Sequence, residues 1–546
     1  MSMSKKNPMR LNSLLQNYKV FLHSSMNELT KGRKILFIIS NLLLSLYITF
    51  VIYTAYSSIF INAAMTFQVI CKSIFLAIIV FHLILLLCAK LKSLEIKVKD
   101  TPEKLNKKTW LSYSSFCFLV LLIPFCIHFP GFTSYDTNVQ WAQVQEYRFD
   151  DWHPVIHTWI IWLITRLCNH YAFVIFCQIL LFSCAIGYLI ATLETLGYDR
   201  KLLLLLGGFM AFNPFTQGLV LYMWKDIVFT ILLILISTHL FKVYLYGAKW
   251  FNEWKNIIIF SFCVGLATLI RHNGMFFTLP MLTLLFFFYL KDNWKISLIL
   301  VLSGILIVLI KGPMYSALKV TYPDNVYTES VGIPMIIMGD VLVKNPQALS
   351  PETKKFLNSI AVDEVWHSVY VPGDFNSIKG YLRAADFISQ VPAKDFAAMT
   401  FHTMKSDPRS SFLAITKPTA SVWGVVGEFN VIELFSSSKS LLGESNYIRK
   451  VLKGSLFALD NFIVSIPLLG GLFAKIGLQM LLLLLVGIVS LYRNGAKTLL
   501  LILPPVIYNL GSMLLLCTDK DIRFFHFNAV ITLPLVLILL SKSYHK

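Results

Sequence analysis

The chain has 546 residues, of which 56% are hydrophobic and only 14% are charged. Soluble domains carry about 25% charged residues and lack repeated apolar runs of 18 or more, whereas ILFIISNLLLSLYITFVIY (35–53) is one such run and others follow. These features exclude a soluble globular enzyme and predict a polytopic membrane protein. The net charge of +19 is explained by Lys and Arg that hold loops in the cytoplasm, so no nucleic-acid partner is expected.

The cysteines and the N-terminal arm give two further constraints. All nine cysteines lie in or beside apolar segments and none forms a CxxC pair, which favours packing over disulfides or zinc. Residues 1–34 are too long and polar for the start of a signal peptide, and no small-residue cleavage site follows the first apolar run. That run is therefore predicted to be a retained membrane anchor.

Apolar length predicts twelve membrane crossings: 35–56, 67–89, 110–129, 171–193, 202–222, 226–247, 256–270, 274–290, 296–312, 474–492, 497–517 and 526–541. A further stretch, HPVIHTWIIWLITR (153–166), would reach only about 21 Å as a helix against a core of about 30 Å. If it does not cross, both termini and every short basic connection are cytoplasmic. We therefore predict a helix at the outer interface, with the aromatics Trp152, Trp159 and Trp162.

These crossings predict the fold class and the division of the chain. We expect an all-α polytopic membrane protein of about twelve transmembrane helices, with an α-rich extracytoplasmic insertion between the ninth and tenth. The predicted parts are a cytoplasmic arm (1–34), a transmembrane core (35–312) with an extracytoplasmic loop (130–170), an extracytoplasmic domain (313–473), C-terminal transmembrane helices (474–541) and a cytoplasmic tail (542–546).

The same alternation of crossings, with both termini in the cytoplasm, places four polar clusters on the outer face. Ionisable groups at membrane depth cost at least about 2.5–3.5 kcal/mol each, so they are kept where they pair or face water. We therefore expect the clusters to share one cavity. Their candidate residues are Asp136, Asp150, Asp151 and His153 in the first loop, then Lys225 and Asp226, then Arg271, His272 and Asn273, and finally Asp521 and Arg523.

Charge is divided unequally among these clusters, because carboxylates dominate the first and cations the later ones. A carboxylate can take a proton from an acceptor hydroxyl, and facing cations can hold a phosphate leaving group. This combination favours transfer of a group from a donor in which that group is linked to a lipid phosphate. The chain has no Walker loop, GxSxG elbow or HExxH motif that would indicate another reaction.

The polar clusters also carry a family resemblance. In order along the chain stand PGFTSYDTNVQW, DDWHPVIHT, FNPFTQGLVLYMWKD, RHNG and DIRF. This set resembles a family of uncharacterised bacterial polytopic membrane proteins related to the C-type (GT-C) glycosyltransferases. The resemblance implies a GT-C-like fold, the bacterial cell membrane, a polyprenyl-phosphate sugar donor and a cell-envelope glycan, lipid or protein acceptor.

The resemblance also implies roles for individual residues. Asp136 stands in the place of the family's loop acid, as general base or metal ligand, with Asp150 and Asp151 as second choice. Because the acid stands alone as YD rather than in an acidic pair, the need for a divalent metal stays open. The implied phosphate-binding residues are Lys225, Arg271, His272 and Arg523, and the other cavity residues are Asp226, His153, Asn273 and Asp521.

Each of these residues has a simpler interpretation, which the sequence leaves open. Asp136 lies in SYDTN, a good turn sequence. His153 and His157 would share a helix face, as metal ligands do, but Trp-His-Pro is equally a helix start. Lys225 and Asp226 could form an internal ion pair that orients two spans.

Asp521 and Arg523 could likewise simply pair with each other, and Arg271 could reach lipid headgroups.

Two interpretations of function also remain open. The favoured function is a membrane glycosyltransferase that uses a lipid-linked sugar at the outer face. The alternative is a transporter or flippase for a lipid-linked or charged substrate, which would need polar residues through the bilayer depth and usually a two-fold repeat of spans.

Overall fold

The computed structural model describes residue 27 and residues 29–56, 67–91, 96–99, 103–322, 331–384, 391–425, 447–516 and 522–541. Over these ranges the regular elements are all helices, and β contacts are isolated bridges such as Phe132 with Tyr222. The predicted all-α fold class is therefore confirmed for the described chain.

In the described ranges, twelve α-helices precede residue 313: α1 (Lys31–Tyr56), α2 (Phe67–Lys90), α3 (Lys107–Ile127), α4 (Tyr135–Glu146), α5 (Val155–Thr165), α6 (Tyr171–Thr195), α7 (Arg200–Ala211), α8 (Pro214–Leu219), α9 (Lys225–Tyr246), α10 (Trp254–Ile270), α11 (Met275–Tyr289) and α12 (Ile296–Leu309). Eleven follow residue 330: α13 (Gly332–Lys344), α14 (Pro351–Ile360), α15 (Asp363–Ser368), α16 (Asn376–Ala384), α17 (Ala393–Ser406), α18 (Pro408–Trp423), α19 (Tyr447–Ser465), α20 (Pro467–Ala474), α21 (Ile476–Asn494), α22 (Leu499–Leu516) and α23 (Phe527–Leu539).

Nine helical stretches of the described chain are long and apolar enough to cross a membrane, and they contain α1, α2, α3, α6, α9, α11, α12, α21 and α22. This confirms a multi-pass membrane protein. Three other predicted crossings coincide with α7, α10 and α23, which have 12, 17 and 13 residues. These are shorter than the roughly 20 residues that a crossing helix usually needs, so the number twelve stays a prediction.

Two segments differ from the predicted crossings. Residues 202–222 are not one helix, because α7 ends at Ala211 and α8 starts at Pro214. The Asn213 side chain caps the new helix by accepting from the Phe215 amide at 3.0 Å, and proline at a first helical position starts a helix rather than continuing one. Within the predicted insertion, 450–474 forms a pair of helices bent by 102° that together are apolar enough for one crossing.

The helix predicted at the outer interface is mostly buried against the rest of the protein. With 11 residues, α5 extends about 16 Å. Its Trp159 is buried and packs edge-on against Tyr315, with 5.7 Å between ring centroids. Trp152 and Trp162 are half-buried. Trp159 is therefore a packing residue of the site region, whereas the sequence predicts an amphipathic aromatic at the membrane interface.

Helix α9 is the centre of the bundle. In its most apolar stretch of 18 residues 83% of the residues are buried, against 22% for α2. Helix α9 packs on α6, α10, α22 and α23. Because α9 begins at Lys225 and Asp226, the most enclosed helix presents two of the predicted site residues at its first turn.

The insertion has a hydrophobic cluster of its own. Apolar side chains of α13 to α18 surround Trp366, which is fully buried and donates from its indole to the Leu357 carbonyl at 3.1 Å. The main cluster lies among the long helices and is separate from this one. The two parts of the chain thus have distinct sources of stability.

Connections predicted to be cytoplasmic come together at one end of the bundle. The Lys99 amide donates to the Leu196 carbonyl at 2.9 Å, and Arg493 donates to the Leu539 carbonyl at 3.0 Å. These contacts join loops from distant parts of the chain. The polar clusters lie at the opposite ends of the helices. Which side of a membrane each end faces stays a prediction.

Candidate functional site

Asp136 is held at the start of α4 by a capping box. The Ser134 hydroxyl accepts from the Thr137 amide at 3.3 Å, and the Thr137 hydroxyl accepts from the Ser134 amide at 2.7 Å. The Trp224 indole, just before α9, donates to the Ser134 hydroxyl at 2.9 Å. The turn-forming character of SYDTN is therefore real, and it leaves the Asp136 carboxylate free for other partners.

The carboxylate of Asp136 pairs with Arg523, which precedes α23. Arg523 Nη1 lies 3.1 Å from Asp136 Oδ2, and their side chains are 14% and 25% exposed. The guanidinium lies over the rings of Trp224 and Phe524, at 4.7 and 4.8 Å. This pair is partly exposed, whereas the Asp521–Arg523 pairing that the sequence also allows involves Asp521, which is outside the described residues.

His153 and Lys225 complete the group around Asp136. Nε2 of His153 is 3.8 Å from Asp136 Oδ1, and Nδ1 is 3.1 Å from the Lys225 ammonium. When Lys225 is protonated its ammonium has no lone pair to offer, so Nδ1 then accepts and the imidazole proton lies on Nε2, facing Asp136. We call Asp136, His153, Lys225 and Arg523 the acid centre.

The environment shifts the pKa of two members of the acid centre, Asp136 and His153. Burial alone would raise the pKa of Asp136, but the charges of Arg523 and Lys225 outweigh it and hold that pKa below its usual range. Burial, followed by the neighbouring Lys225, lowers the pKa of His153. At neutral pH the carboxylate is ionised and the imidazole is neutral.

Arg271 and Asp226 pair with each other and do not contact the acid centre through this ion pair. They form a buried ion pair in which the side chains are 4% and 3% exposed. Arg271 Nε donates to the Asn273 side chain at 2.9 Å, and Asn273 donates to the Ser512 hydroxyl at 2.7 Å. Asp226 therefore pairs across helices and not with its neighbour Lys225, and Arg271 is directed into protein rather than to lipid headgroups.

Asp151 joins three other segments. Its Oδ1 accepts from the Tyr315 hydroxyl at 2.8 Å and the Val155 amide at 3.2 Å, while Oδ2 lies 3.9 Å from Lys311 Nζ. The imidazole of His272 bonds to the Asp151 backbone. Asp151 is thus a buried junction between the first loop, the α10–α11 turn and the end of α12.

Asp150 and His157 make local contacts. Asp150 accepts from the Gln143 side chain at 2.7 Å and from the Trp152 amide at 2.9 Å. His157 Nδ1 lies 3.1 Å from Gln140 Oε1, so the two histidines do not act together on a ligand. Of the three candidate carboxylates, Asp136 is the one that faces cations at an accessible place.

Several contributors were missed from the sequence. Trp224 stacks under Arg523 and holds Ser134, and Lys311 and Tyr315 contact Asp151. Trp224 adjoins Lys225 at a helix start, a signal that was available. No pattern marks Lys311 or Tyr315, because their role depends on where the end of α12 lies.

The donor set does not fit a divalent cation. One oxygen of Asp136 faces the Arg523 guanidinium, and the other faces the N–H of His153, behind which stands Lys225. Metals of this kind need several anionic or neutral oxygen ligands, and cations at this range repel them. Nowhere among the described residues do three His, Cys, Asp or Glu side chains converge as such a site requires.

The fold and this site together define an all-α, multi-pass membrane protein with a partly exposed cluster of one carboxylate, one imidazole and two cations where helix ends meet. No protein-family model, curated protein or solved structure matches the chain. Its function must therefore be argued from the acid centre.

Proposed function

We propose that the protein is a GT-C-like glycosyltransferase of the bacterial cell membrane, which transfers a sugar from a polyprenyl-phosphate donor to a cell-envelope acceptor at the outer face. The observation that supports this most is the ion pair between Asp136 and Arg523, with Lys225 beside it. A proton acceptor and two phosphate-binding cations thereby share one accessible place, although they come from distant parts of the chain.

The reaction would use each member of the acid centre. An acceptor hydroxyl attacks the anomeric carbon of the donor sugar, and its proton passes to Asp136. The bond between the anomeric carbon and the phosphate oxygen breaks, and polyprenyl phosphate leaves with the electron pair. Arg523 and Lys225 bind the donor phosphate and neutralise the charge that develops on it, so their stabilisation increases in the transition state.

His153 is a positioning residue in this scheme. Because Lys225 fixes the imidazole proton on Nε2, His153 presents an N–H toward Asp136 Oδ1. This orients the carboxylate while Arg523 is occupied by phosphate. Arg271 and Asp226 support the site through the packing of α9 against the α10–α11 turn.

The test is transfer of a labelled sugar from a lipid-linked donor by membranes containing the full chain. Asp136→Asn is expected to reduce transfer by roughly 10²–10⁴-fold, the range for loss of a general base. The matched control is Asp363→Asn, since Asp363 also lies 3.8 Å from a histidine, His367, but on the exposed surface of the insertion.

Undiminished transfer by Asp136→Asn would reject Asp136 as the base. Movement of the lipid-linked sugar across reconstituted vesicles without a covalent product would instead favour the transporter or flippase.

A further inference from the structure

Asp136 stands where the proposed donor phosphate has to bind. Arg523 Nη1 contacts the carboxylate at 3.1 Å, and Lys225 also interacts with it electrostatically. The two cations assigned to the phosphate therefore already hold an anion that belongs to the protein. A phosphate that reaches them must either share them with Asp136 or replace it.

We propose that replacement is what happens: Asp136 and the phosphate group of the ligand alternate as the anion on Arg523. This inference rests on the proposed function, because it concerns the same site and the same ligand class. It adds that the protein's own carboxylate is a competitor of the ligand.

Arg523 is built to stay in place while its anion changes. Its guanidinium is stacked on Trp224 and Phe524, and Trp224 is itself stacked on Tyr222 with centroids 4.0 Å apart. A guanidinium fixed in this way keeps a planar fork of donors, which matches a phosphate as well as a carboxylate.

Asp136, in contrast, can leave. It lies in the first turn of α4, its side chain is 25% exposed, and the capping bonds of that turn are made by Ser134 and Thr137 rather than by Asp136. Rotation of one short side chain therefore breaks the ion pair without disturbing the helix. His153 Nε2 lies 3.8 Å from the other carboxylate oxygen, Oδ1, and is a donor toward which Asp136 can turn.

The exchange distinguishes this site from a metal-bridged one. If a divalent cation joined Asp136 to the phosphate, carboxylate and ligand would bind together, and removal of the carboxylate would weaken ligand binding. With Arg523 and Lys225 in the place of a metal, the carboxylate and the ligand compete. Removal of the carboxylate must then strengthen binding, so the two arrangements predict opposite signs.

The exchange also links donor binding to proton removal. While paired with Arg523, Asp136 is a weak base, because its charge is stabilised. When the ligand takes Arg523, the carboxylate loses that partner and becomes a stronger base beside the bound donor. Proton acceptance is thereby favoured only when the sugar to be transferred is present.

The experiment is equilibrium binding to the purified full chain in nanodiscs, by calorimetry, with farnesyl phosphate and inorganic phosphate as probes. Asp136→Asn is expected to bind both probes about fivefold more tightly than the native protein, which corresponds to loss of a partly exposed competing ion pair. Because the farnesyl chain does not contact Arg523 in this scheme, the ratio should be the same for both probes. Addition of EDTA should change neither affinity.

Three further variants complete the measurement. Arg523→Gln is expected to weaken binding at least about tenfold, and Arg523→Lys, which keeps the charge, should recover part of it and show that loss is not due to misfolding. Asp363→Asn removes a surface carboxylate and should leave the affinity unchanged.

Unchanged or weaker binding by Asp136→Asn would overturn the exchange, and so would tightening by Mg²⁺ that requires Asp136. Either result leaves the proposed function to its own transfer assay. Failure of both the native protein and Asp136→Asn to bind farnesyl phosphate would overturn the exchange and also remove the donor class from the proposed function.

Discussion

Replacing Arg271 with methionine is expected to destabilise the protein by about 3–5 kcal/mol. The Arg271 and Asp226 side chains are only 4% and 3% exposed, so the substitution leaves a carboxylate buried without its counter-charge. Removal of one partner from a buried ion pair typically costs this much, because the desolvation of the remaining charge is no longer offset. The loss of the Arg271 contact with Asn273 adds to the effect.

The assay is a double-mutant cycle on the free energy of unfolding in detergent micelles. Asp226→Asn combined with Arg271→Met removes both charges, so the double variant should be at least about 2 kcal/mol more stable than the sum of the two single losses implies. The control pair is Glu253 and Lys255, which lie 2.9 Å apart but are 64% and 72% exposed. Its removal should cost under about 1 kcal/mol.

Additive losses, within about 0.5 kcal/mol, would refute the reasoning. They would mean that the Asp226 carboxylate reaches water or another partner when Arg271 is absent. A loss in Arg271→Met no larger than that of the surface pair would have the same meaning.

Three other predictions follow from packing and pH. Gly187→Ala should destabilise the protein by about 1–3 kcal/mol, because its Cβ would lie 2.6 Å from the Ser114 amide nitrogen, whereas Gly304→Ala, with open space around it, should not; thermal unfolding distinguishes them. His153→Gln should make the loss of stability between pH 7 and 4 shallower by up to about 1.4 kcal/mol per pH unit in acid titrations. His153 stays neutral in the folded protein because its pKa is lowered, while the unfolded chain takes up a proton as the pH falls, so an unchanged slope would contradict the assignment. Trp366→Ala should cost about 3–5 kcal/mol in the insertion and raise hydrogen exchange there but not in the long helices; a global increase would show that the two clusters unfold together.

The sequence was sufficient for the helical class because twenty-residue apolar runs have few alternatives in a membrane. It predicts one shared cavity for the four polar clusters, and the structure brings Asp136, Lys225 and Arg523 together but pairs Arg271 with Asp226 apart from them. The structure joins them through contacts of 3.1 Å and by electrostatic interaction. Their roles in chemistry stay a proposal.

The sequence does not predict which side chains pair within that region. Whether Asp226 meets Lys225 or Arg271 depends on the rotation of α9 and on the backbone turn after α10, and neither has a signature in a local pattern. The break before Pro214 was different, because Asn-Pro is a visible helix-start signal. The hydropathy of the surrounding residues nevertheless favours one continuous crossing over residues 202–222, and this prediction outweighs the helix-start signal.

The acid centre joins the first third of the chain to the segment just before α23, and this has a consequence for biogenesis. Asp136 and Arg523 are 523 − 136 = 387 residues apart. At synthesis rates of about 5–20 residues per second, Asp136 waits on the order of 20–80 s for the arginine that will neutralise it. During that interval the loop of α4 must be kept near water, and only insertion of α23 completes the site. The acid centre therefore cannot form before Arg523 has been synthesised, and premature termination before that residue leaves a chain without it.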